Sequence, residues 1–548
     1  MKLYYQYTDE SFWALLPAQK KRKRFNMCRK DLIIHDKIIK LVYNILMNLS
    51  KSRYCKGVQC PKILWLDEHK SEERDESVLN QNVFDTGNKV GDLAMQYFGD
   101  FTEVCYSDDK NKMLNETKRL LEEKTRIICE ASFSYKGSFC SVDILHNCEN
   151  SADNLYEIIE VKSTTNVKPN HIDDMAFQYY VLTSCGLNIT KISLMHINNE
   201  YVLKDEGALD IQNYFKIQDC TEDVLSKQND ITAKIEQFKN YAAQENEPVM
   251  DIGAQCYVPY ECVYRSFCWQ HIPKESIFSI SGKAMRLDKK FGFYKRGIIT
   301  IEQLLKSGED LNESARIQSE TLFYNRPPTI DKEAIRAFLN TLNYPLYYLD
   351  FETMQEAIPL YKGMRPFIQT PFQYSLHIQK SKGAELEHKE FLAEEGKDPR
   401  RSLAERLCAD IPKDVCILAY NMNFEKGRIK ELSEYLNDLS AHLMNLHDNF
   451  KDLMLPFQTF AYYSNELCGS YSIKKVLPAL CSDDPELNYN VLDLIHNGGE
   501  AQVSYAQLTN NNVSTEEKQR IKKALLAYCR LDTLAMVKIL EKLYLLSA

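Results

Sequence analysis

The alternation of apolar and polar positions divides the chain into four stretches. Residues 1–50 form an extension in which the basic run Lys20-Lys21-Arg22-Lys23-Arg24 precedes a helix-like apolar stretch from Ile33 to Leu49. The plain reading of such a run is a solvated tail, with phosphate contact or a localisation signal as alternatives. Residues 51–272 mix two periods. Helical spacing runs from Val83 to Phe98, and short β-rich runs follow at Ile127–Tyr135, Phe139–Leu145 and Leu155–Val161. Residues 273–340 have a mostly helical pattern and link to a second mixed region, 341–548, which opens on the apolar run Pro345–Leu349. Near its end, Ser514–Leu546 carries the spacing of one or two amphipathic helices. No internal repeat stands out. The expected fold class is α/β and multidomain.

Composition changes this picture only at the edges. A chain of 548 residues exceeds what one hydrophobic core organises. The net charge of −9 does not by itself favour a polyanionic partner, although clustered carboxylates can mask a local basic groove. No apolar run approaches the roughly 20 residues that span a bilayer, and the N-terminus lacks a signal-peptide pattern. The expectation is a soluble, cytoplasmic protein with no membrane partner. In such a compartment the 17 cysteines are reduced thiols or metal ligands rather than disulfides. In the linker, Tyr294-Lys295-Arg296-Gly297-Ile298-Ile299-Thr300 followed by Leu304 resembles a helix–hairpin–helix element, whose glycine turn offers backbone N–H groups to a phosphate. An ordinary helix C-cap at Gly297 is the alternative.

The segment Tyr347-Tyr348-Leu349-Asp350-Phe351-Glu352-Thr353 has the pattern of a buried strand that ends in two acids. Residues two apart on a strand share a face, so Asp350 and Glu352 project together. Adjacent buried carboxylates repel unless a cation sits between them, and all-oxygen ligands favour Mg²⁺ or Mn²⁺. Two further segments bear on this pair. Ile417-Leu418-Ala419-Tyr420-Asn421-Met422-Asn423-Phe424-Glu425 is another apolar strand followed by an acid. In Tyr528-Cys529-Arg530-Leu531-Asp532 the tyrosine and the aspartate lie one helical turn apart.

Together these segments resemble the DEDD exonucleases of the RNase H-like fold. The resemblance implies Asp350, Glu352, Glu425 and Asp532 as metal ligands and Tyr528 as the group that orients the attacking water in two-metal hydrolysis. The chain departs from that family at Glu425, where the usual residue is Asp; Asp452 is the substitute.

A second constellation lies upstream. Ser141-Val142-Asp143-Ile144-Leu145 and Tyr156-Glu157-Ile158-Ile159-Glu160-Val161-Lys162 read as two strands, with Glu160 and Lys162 on one face. Glu160 and Lys162 at that spacing suit either a plain ion pair or, with Asp143, a metal site in which Lys162 polarises water or the scissile phosphate. The arrangement resembles the PD-(D/E)XK nucleases, in particular RecB/AddB-like and CRISPR-adaptation exonucleases. That resemblance implies Asp143 and Glu160 as metal ligands, Gln178 as the glutamine of the following helix and Glu130 as an auxiliary acid. The chain departs from it near Gly91, where no histidine stands, and at Leu182, where a tyrosine is usual. RecB-like nucleases of this branch hold a [4Fe–4S] cluster on one cysteine before the nuclease core and three after it. By that likeness Cys60, in preference to Cys55, joins Cys256, Cys262 and Cys268; four thiolates suit Fe–S or Zn²⁺.

The pairing, with Gly469-Ser470-Tyr471-Ser472-Ile473-Lys474, is similar to a bacterial family that joins a RecB-like nuclease to an RNase H-like exonuclease. Membership implies a PD-(D/E)XK-like domain at 51–272, a linker at 273–340 and an RNase H-like domain at 341–548. It implies a fold and a reaction class without a physiological substrate. The expected partner is nucleic acid, DNA before RNA, and the expected reaction is 3′→5′ removal of nucleotides from single strands at the C-terminal site, with a second, RecB-like nuclease site upstream. RNA 3′-exonuclease activity, or a degenerate Fe–S scaffold that binds nucleic acid, are the alternatives.

Overall fold

A computed structural model of the protein describes residues 49–78, 81–148, 155–482, 484 and 487–548. The basic run at 20–24 and the apolar stretch up to residue 48 lie outside the described residues. The chain is mixed α/β and is organised by two sheets with helices between and around them.

The first sheet gathers β1 (Leu49–Ser50), β2 (Thr102–Glu103), β3 (Ile127–Tyr135), β4 (Ser138–Cys148), β5 (Leu155–Lys162), β6 (Asn188–Ile197) and β7 (Phe215–Asp219). Its order is β2-β3-β4-β5-β6-β7, and β1 pairs in parallel with the first residues of β4. The longer helices of this half are α1 (Lys51–Gln59), α2 (Pro61–His69), α3 (Gln81–Met95), α4 (Lys110–Glu122), α5 (Pro169–Ser184) and α6 (Gln228–Ala242). On β5, Tyr156 and Ile158 join the core beneath α5, whereas Ile159 joins the core on the opposite face. Strand alternation therefore carries Glu160 and Lys162 to the α5 side. The parity of β4 slips at Asp143: Val142 packs in one core and Ile144 in the other, although they are two residues apart. Across the ladder Glu130 has φ +56°, a left-handed backbone that glutamate seldom adopts. The irregularity frees the Asp143 carboxylate, which accepts the Val161 N–H at 2.7 Å.

The connecting region holds α7 (Leu287–Lys295), α8 (Ile301–Lys306), α9 (Glu313–Phe323) and α10 (Lys332–Leu339). At Gly297, φ +77° closes α7. The Gly297 and Ile298 N–H groups bond Tyr294 O and Phe293 O, and those of Ile299 and Thr300 bond the Gln303 side chain. The turn thus satisfies its own donors in the manner of a helix C-cap joined to a capping box.

The second sheet comprises β8 (Leu346–Gln355), β9 (Gln369–Gln379), β10 (Leu386–Leu392), β11 (Cys416–Ala419) and β12 (Phe450–Asp452), in the order β10-β9-β8-β11-β12. β11 runs parallel to β8 and to β12; β9 is antiparallel to both its neighbours. Tyr347, Leu349 and Phe351 face a core built with α11 (Pro399–Asp410) and α12 (Asn423–Tyr435). Leu346, Tyr348 and Met354 face the other core, with α13 (Ile473–Cys481), α14 (Gly498–Gln507) and α15 (Thr515–Ser547). Asp350 and Glu352 share the parity of the second set, so they point toward α15. The terminal helix is a single 33-residue element. Between β8 and β9 the chain reaches back to the first half, where Tyr214 Oη donates to Ala357 O at 3.0 Å and Leu203 exchanges backbone bonds with Gly363 and Met364. No helix among the described residues is long and apolar enough to cross a membrane.

Helix α1 is held against α6 through Gly57, where a Cβ would stand 2.7 Å from Phe238 Cδ2. Gly57→Ala is expected to lower the unfolding free energy by about 1–3 kcal/mol through overpacking. Thermal or urea denaturation checks this, and an unchanged midpoint would show that α1 has room to move.

Candidate functional site

Three groups of chemically reactive side chains lie on this scaffold. In the C-terminal half, β8 presents Asp350 and Glu352. β11 runs into a turn where Asn421 takes φ +71°, and α12 then delivers Glu425 in its first turn. Helix α15 contributes Tyr528 and Asp532 from successive turns. Glu352, Glu425 and Asp532 are buried. Asp350, Glu352 and the Cys529 thiol have ligand atoms within 4.8 Å of one another. The Cys529 thiol donates toward Asp350 Oδ2 at 3.8 Å. Asp532 accepts from Tyr489 Oη at 2.5 Å and from the Tyr528 hydroxyl. Glu425 Oε2 is buried without a hydrogen-bond partner.

The electrostatics follow from that crowding. Burial, then Asp532, Glu352 and Glu425, hold the Asp350 carboxyl far above the carboxylate range. Burial and Asp532 lift Glu352 to about 8; burial, with Asp452 adding to it, lifts Glu425 to about 8. Burial raises Asp532 to about 6. The cations whose field reaches these acids are Lys474, which lies 5.2 Å from the Tyr528 ring centre and 5.3 Å from that of Tyr489, and Arg428. Among the described residues none of the four carboxylates takes part in a salt bridge with them. Asp452, the substitute for Glu425, is engaged elsewhere. Its Oδ1 accepts the N–H groups of Asn421 and Met454, both at 3.0 Å, and so fixes the turn that aims α12.

The N-terminal group is assembled in the opposite way. Glu160 is fully buried and receives Gln178 Nε2 at 2.7 Å, the Lys162 ammonium and the Lys51 ammonium at 3.1 and 3.2 Å. Lys51 also lies 3.6 Å from Asp143 Oδ1 and 4.0 Å from Asp174 Oδ1, and Lys162 bonds Asp174 at 2.9 Å. Although burial opposes it, Lys162 and Lys51 together hold Glu160 well below the usual range. Burial and then Glu160 raise Asp143 to about 6, and burial and Asp143 raise Glu130 to about 7. Asp143, Glu160, Lys162 and Gln178 are thus brought together. Lys51 and Asp174 complete the group and were not singled out from the sequence. Asp174 had a local signal, standing one helical turn before Gln178; Lys51 had none.

The third group lies at the junction of α1 and α2. Cys60, Cys256, Cys262 and Cys268 border one cavity. Lys62 and Ile63 donate backbone N–H groups to the Cys60 sulfur, and Tyr264 does the same for Cys262. Burial pushes the Cys262 thiol up to about 12, and Cys60, Cys256 and Cys268 push it the same way. Gln59 Nε2 ties the loop to α1 through Gln255 O at 2.9 Å and Tyr260 O at 2.8 Å. Cys55 sits elsewhere, beside Asp174 and Lys162.

Residues 347–472 match the family described as Domain of unknown function (DUF2779). That segment carries Asp350, Glu352, Glu425 and Asp452 and stops before Tyr528 and Asp532. The chain is similar to an uncharacterized protein of Mycoplasma genitalium, 23% identical over 388 residues, or 64% of this chain and 56% of that one. It is also similar to an uncharacterized protein of Ureaplasma parvum serovar 3, 26% identical over 283 residues, or 48% of this chain and 39% of that one. The chain therefore spans about half the length of the curated relatives it matches. No solved structure matches it.

An acid with a raised pKa in the folded state contributes stability that is present below its unfolded value and lost as pH rises through the folded one. The Glu352 contribution in metal-stripped protein is therefore expected to vanish between about pH 4.5 and pH 8, a loss that Glu352→Gln removes. Urea denaturation across this range checks it; a pH profile identical in parent and Glu352→Gln would contradict the burial of that carboxyl.

Proposed function

We propose that the protein is a metal-dependent nuclease, cutting DNA phosphodiesters from the 3′ end of single strands at the C-terminal carboxyl group. The observation that carries this reading is the pairing of Asp350 with Glu352 at ligand distance, with Asp532 and Glu425 near enough to raise the Asp350 carboxyl and no salt bridge to any of the four among the described residues. Burying several carboxyls without a counter-charge is costly, and a site that keeps them together is suited to a cation. The orphaned Oε2 of Glu425 and the all-oxygen donor set fit Mg²⁺ or Mn²⁺. Held by these four acids, two such ions would activate water and neutralise the charge that develops on the scissile phosphate.

The chain's own groups supply the rest. Burial, and then the neighbouring acids, keep the Tyr528 phenol protonated, so its hydroxyl donates to Asp532 and its oxygen is left to accept from an attacking water. Tyr489 fixes the other side of Asp532. Lys474, held over both aromatic rings, brings positive charge toward an incoming phosphate. Cys529 restrains Asp350 from behind. The 3′ polarity and the preference for single-stranded DNA rest on the likeness to DEDD exonucleases. No step is assigned to the N-terminal group, where an ammonium already stands between Asp143 and Glu160.

The thiol group supports a [4Fe–4S] cluster on Cys60, Cys256, Cys262 and Cys268. The choice of a cluster over zinc rests on the likeness to RecB-like nucleases, and the four cysteines border one cavity. Backbone N–H groups aimed at the sulfurs fit the same group.

With Mg²⁺, the full chain is expected to shorten 5′-labelled single-stranded DNA progressively. Asp350→Asn or Asp532→Asn should slow this about a hundredfold or more, and Asp143→Asn should not. Faster shortening of RNA would redirect the substrate, and metal-dependent cleavage untouched by Asp350→Asn would contradict the site. Anaerobically purified protein should contain iron and labile sulfide with broad visible absorption, all lost in Cys262→Ser. A colourless, zinc-loaded protein would contradict the cluster.

A further inference from the structure

The N-terminal carboxyl group is arranged as a divalent-metal site but contains an extra cation. Lys51 is the first residue of α1, and its position is fixed from both sides. Upstream, Leu49 N donates to Gly137 O at 2.8 Å and β1 pairs with Ser138 and Phe139. Downstream, α1 packs through Gly57 against Phe238 and ends at Cys60. The Lys51 side chain therefore enters the site from a rigid element rather than from a free tail. Its nitrogen reaches both oxygens of Glu160 as well as Asp143 and Asp174.

A divalent ion shared by Asp143 and Glu160 needs their oxygens at about 2.0–2.6 Å. An ammonium 3.1 Å from Glu160 Oε1 and 3.6 Å from Asp143 Oδ1 occupies that volume and repels a second cation. From this geometry we infer that Lys51 is a resident counter-ion that closes the N-terminal site to divalent metal. Lys162 bridges Glu160 and Asp174, and Gln178 Nε2 donates to both, so Glu160 has its polar partners without an ion. Hydrolysis is then left to the C-terminal half. The inference rests on the nuclease-like reading of the N-terminal carboxyls, and it does not depend on activity at the C-terminal site.

The test uses the full chain with its C-terminal acids silenced by Asp350→Asn and Asp532→Asn, stripped of metal and titrated with Mn²⁺ under electron paramagnetic resonance. With Lys51 present, no tightly bound Mn²⁺ is expected. Adding Lys51→Met should create about one equivalent of bound Mn²⁺, which Asp143→Asn should remove again. The same Mn²⁺ should raise the melting temperature of the Lys51→Met chain, whose uncompensated carboxylates repel in its absence. Mn²⁺ bound while Lys51 is present and lost on Asp143→Asn would overturn the inference, as would a folded Lys51→Met chain that binds none. Should Lys51→Met not fold, Lys51→Gln, which keeps a hydrogen bond to Glu160, takes its place. If neither folds, the chain that retains Lys51 decides: an ion lost with Asp143→Asn overturns the inference and no bound ion supports it. A wild-type chain without Mg²⁺-dependent cleavage would instead count against the C-terminal reading and leave this titration unaffected.

Discussion

Carboxylates buried beside one another need positive charge, and the way each half of this protein meets that need organises the rest of the structure. In the N-terminal half the charge comes from lysine. Lys51 and Lys162 enclose Glu160, and the strands bend at Asp143 and Glu130 to admit them. In the C-terminal half Asp350 and Glu352 lie at ligand distance with Asp532 and Glu425 nearby, tyrosine hydroxyls and a thiol touch these acids, and Lys474 and Arg428 act from a distance. The first arrangement has two ammonium groups within reach of its carboxylates; the second has no salt bridge among the described residues.

The two cores explain how such groups are tolerated. Asp350 and Glu352 stand within β8 and Glu160 near the end of β5, on strands whose other residues fill packed layers. Opposing helices then fix the remaining partners. Helix α15 supplies Asp532 while its flanking residues Leu525, Leu531 and Met536 are buried in the core. Helix α5 supplies Asp174 and Gln178 between Met175, Ala176 and Phe177. Packing therefore sets the carboxyl positions before any ion arrives, which is the preorganisation that hydrolysis of a phosphodiester requires.

Local periodicity made part of this legible. The two-residue repeat put Asp350 with Glu352 and Glu160 with Lys162, and the helical turn put Tyr528 with Asp532; each pair shares a face in the structure. Strands β3 and β5 also lie close to their expected spans, because nearly continuous apolar runs mark them directly. What was not legible depends on contacts distant in sequence. Lys51 reaches Glu160 across 109 positions, and no local pattern encodes that meeting. Tyr489 meets Asp532 across 43. The choice between Glu425 and Asp452 was similarly hidden, since it depends on which carboxylate caps the turn at Asn421 and which is left facing Asp350.

The two carboxyl groups thus differ in their need for metal, and anomalous diffraction from crystals of the wild-type chain soaked in Mn²⁺ tests that difference most directly. Manganese peaks are expected among Asp350, Glu352, Glu425 and Asp532, with Lys51 still seated between Asp143 and Glu160. Manganese between Asp143 and Glu160 with Lys51 displaced, or an empty C-terminal group, would contradict it.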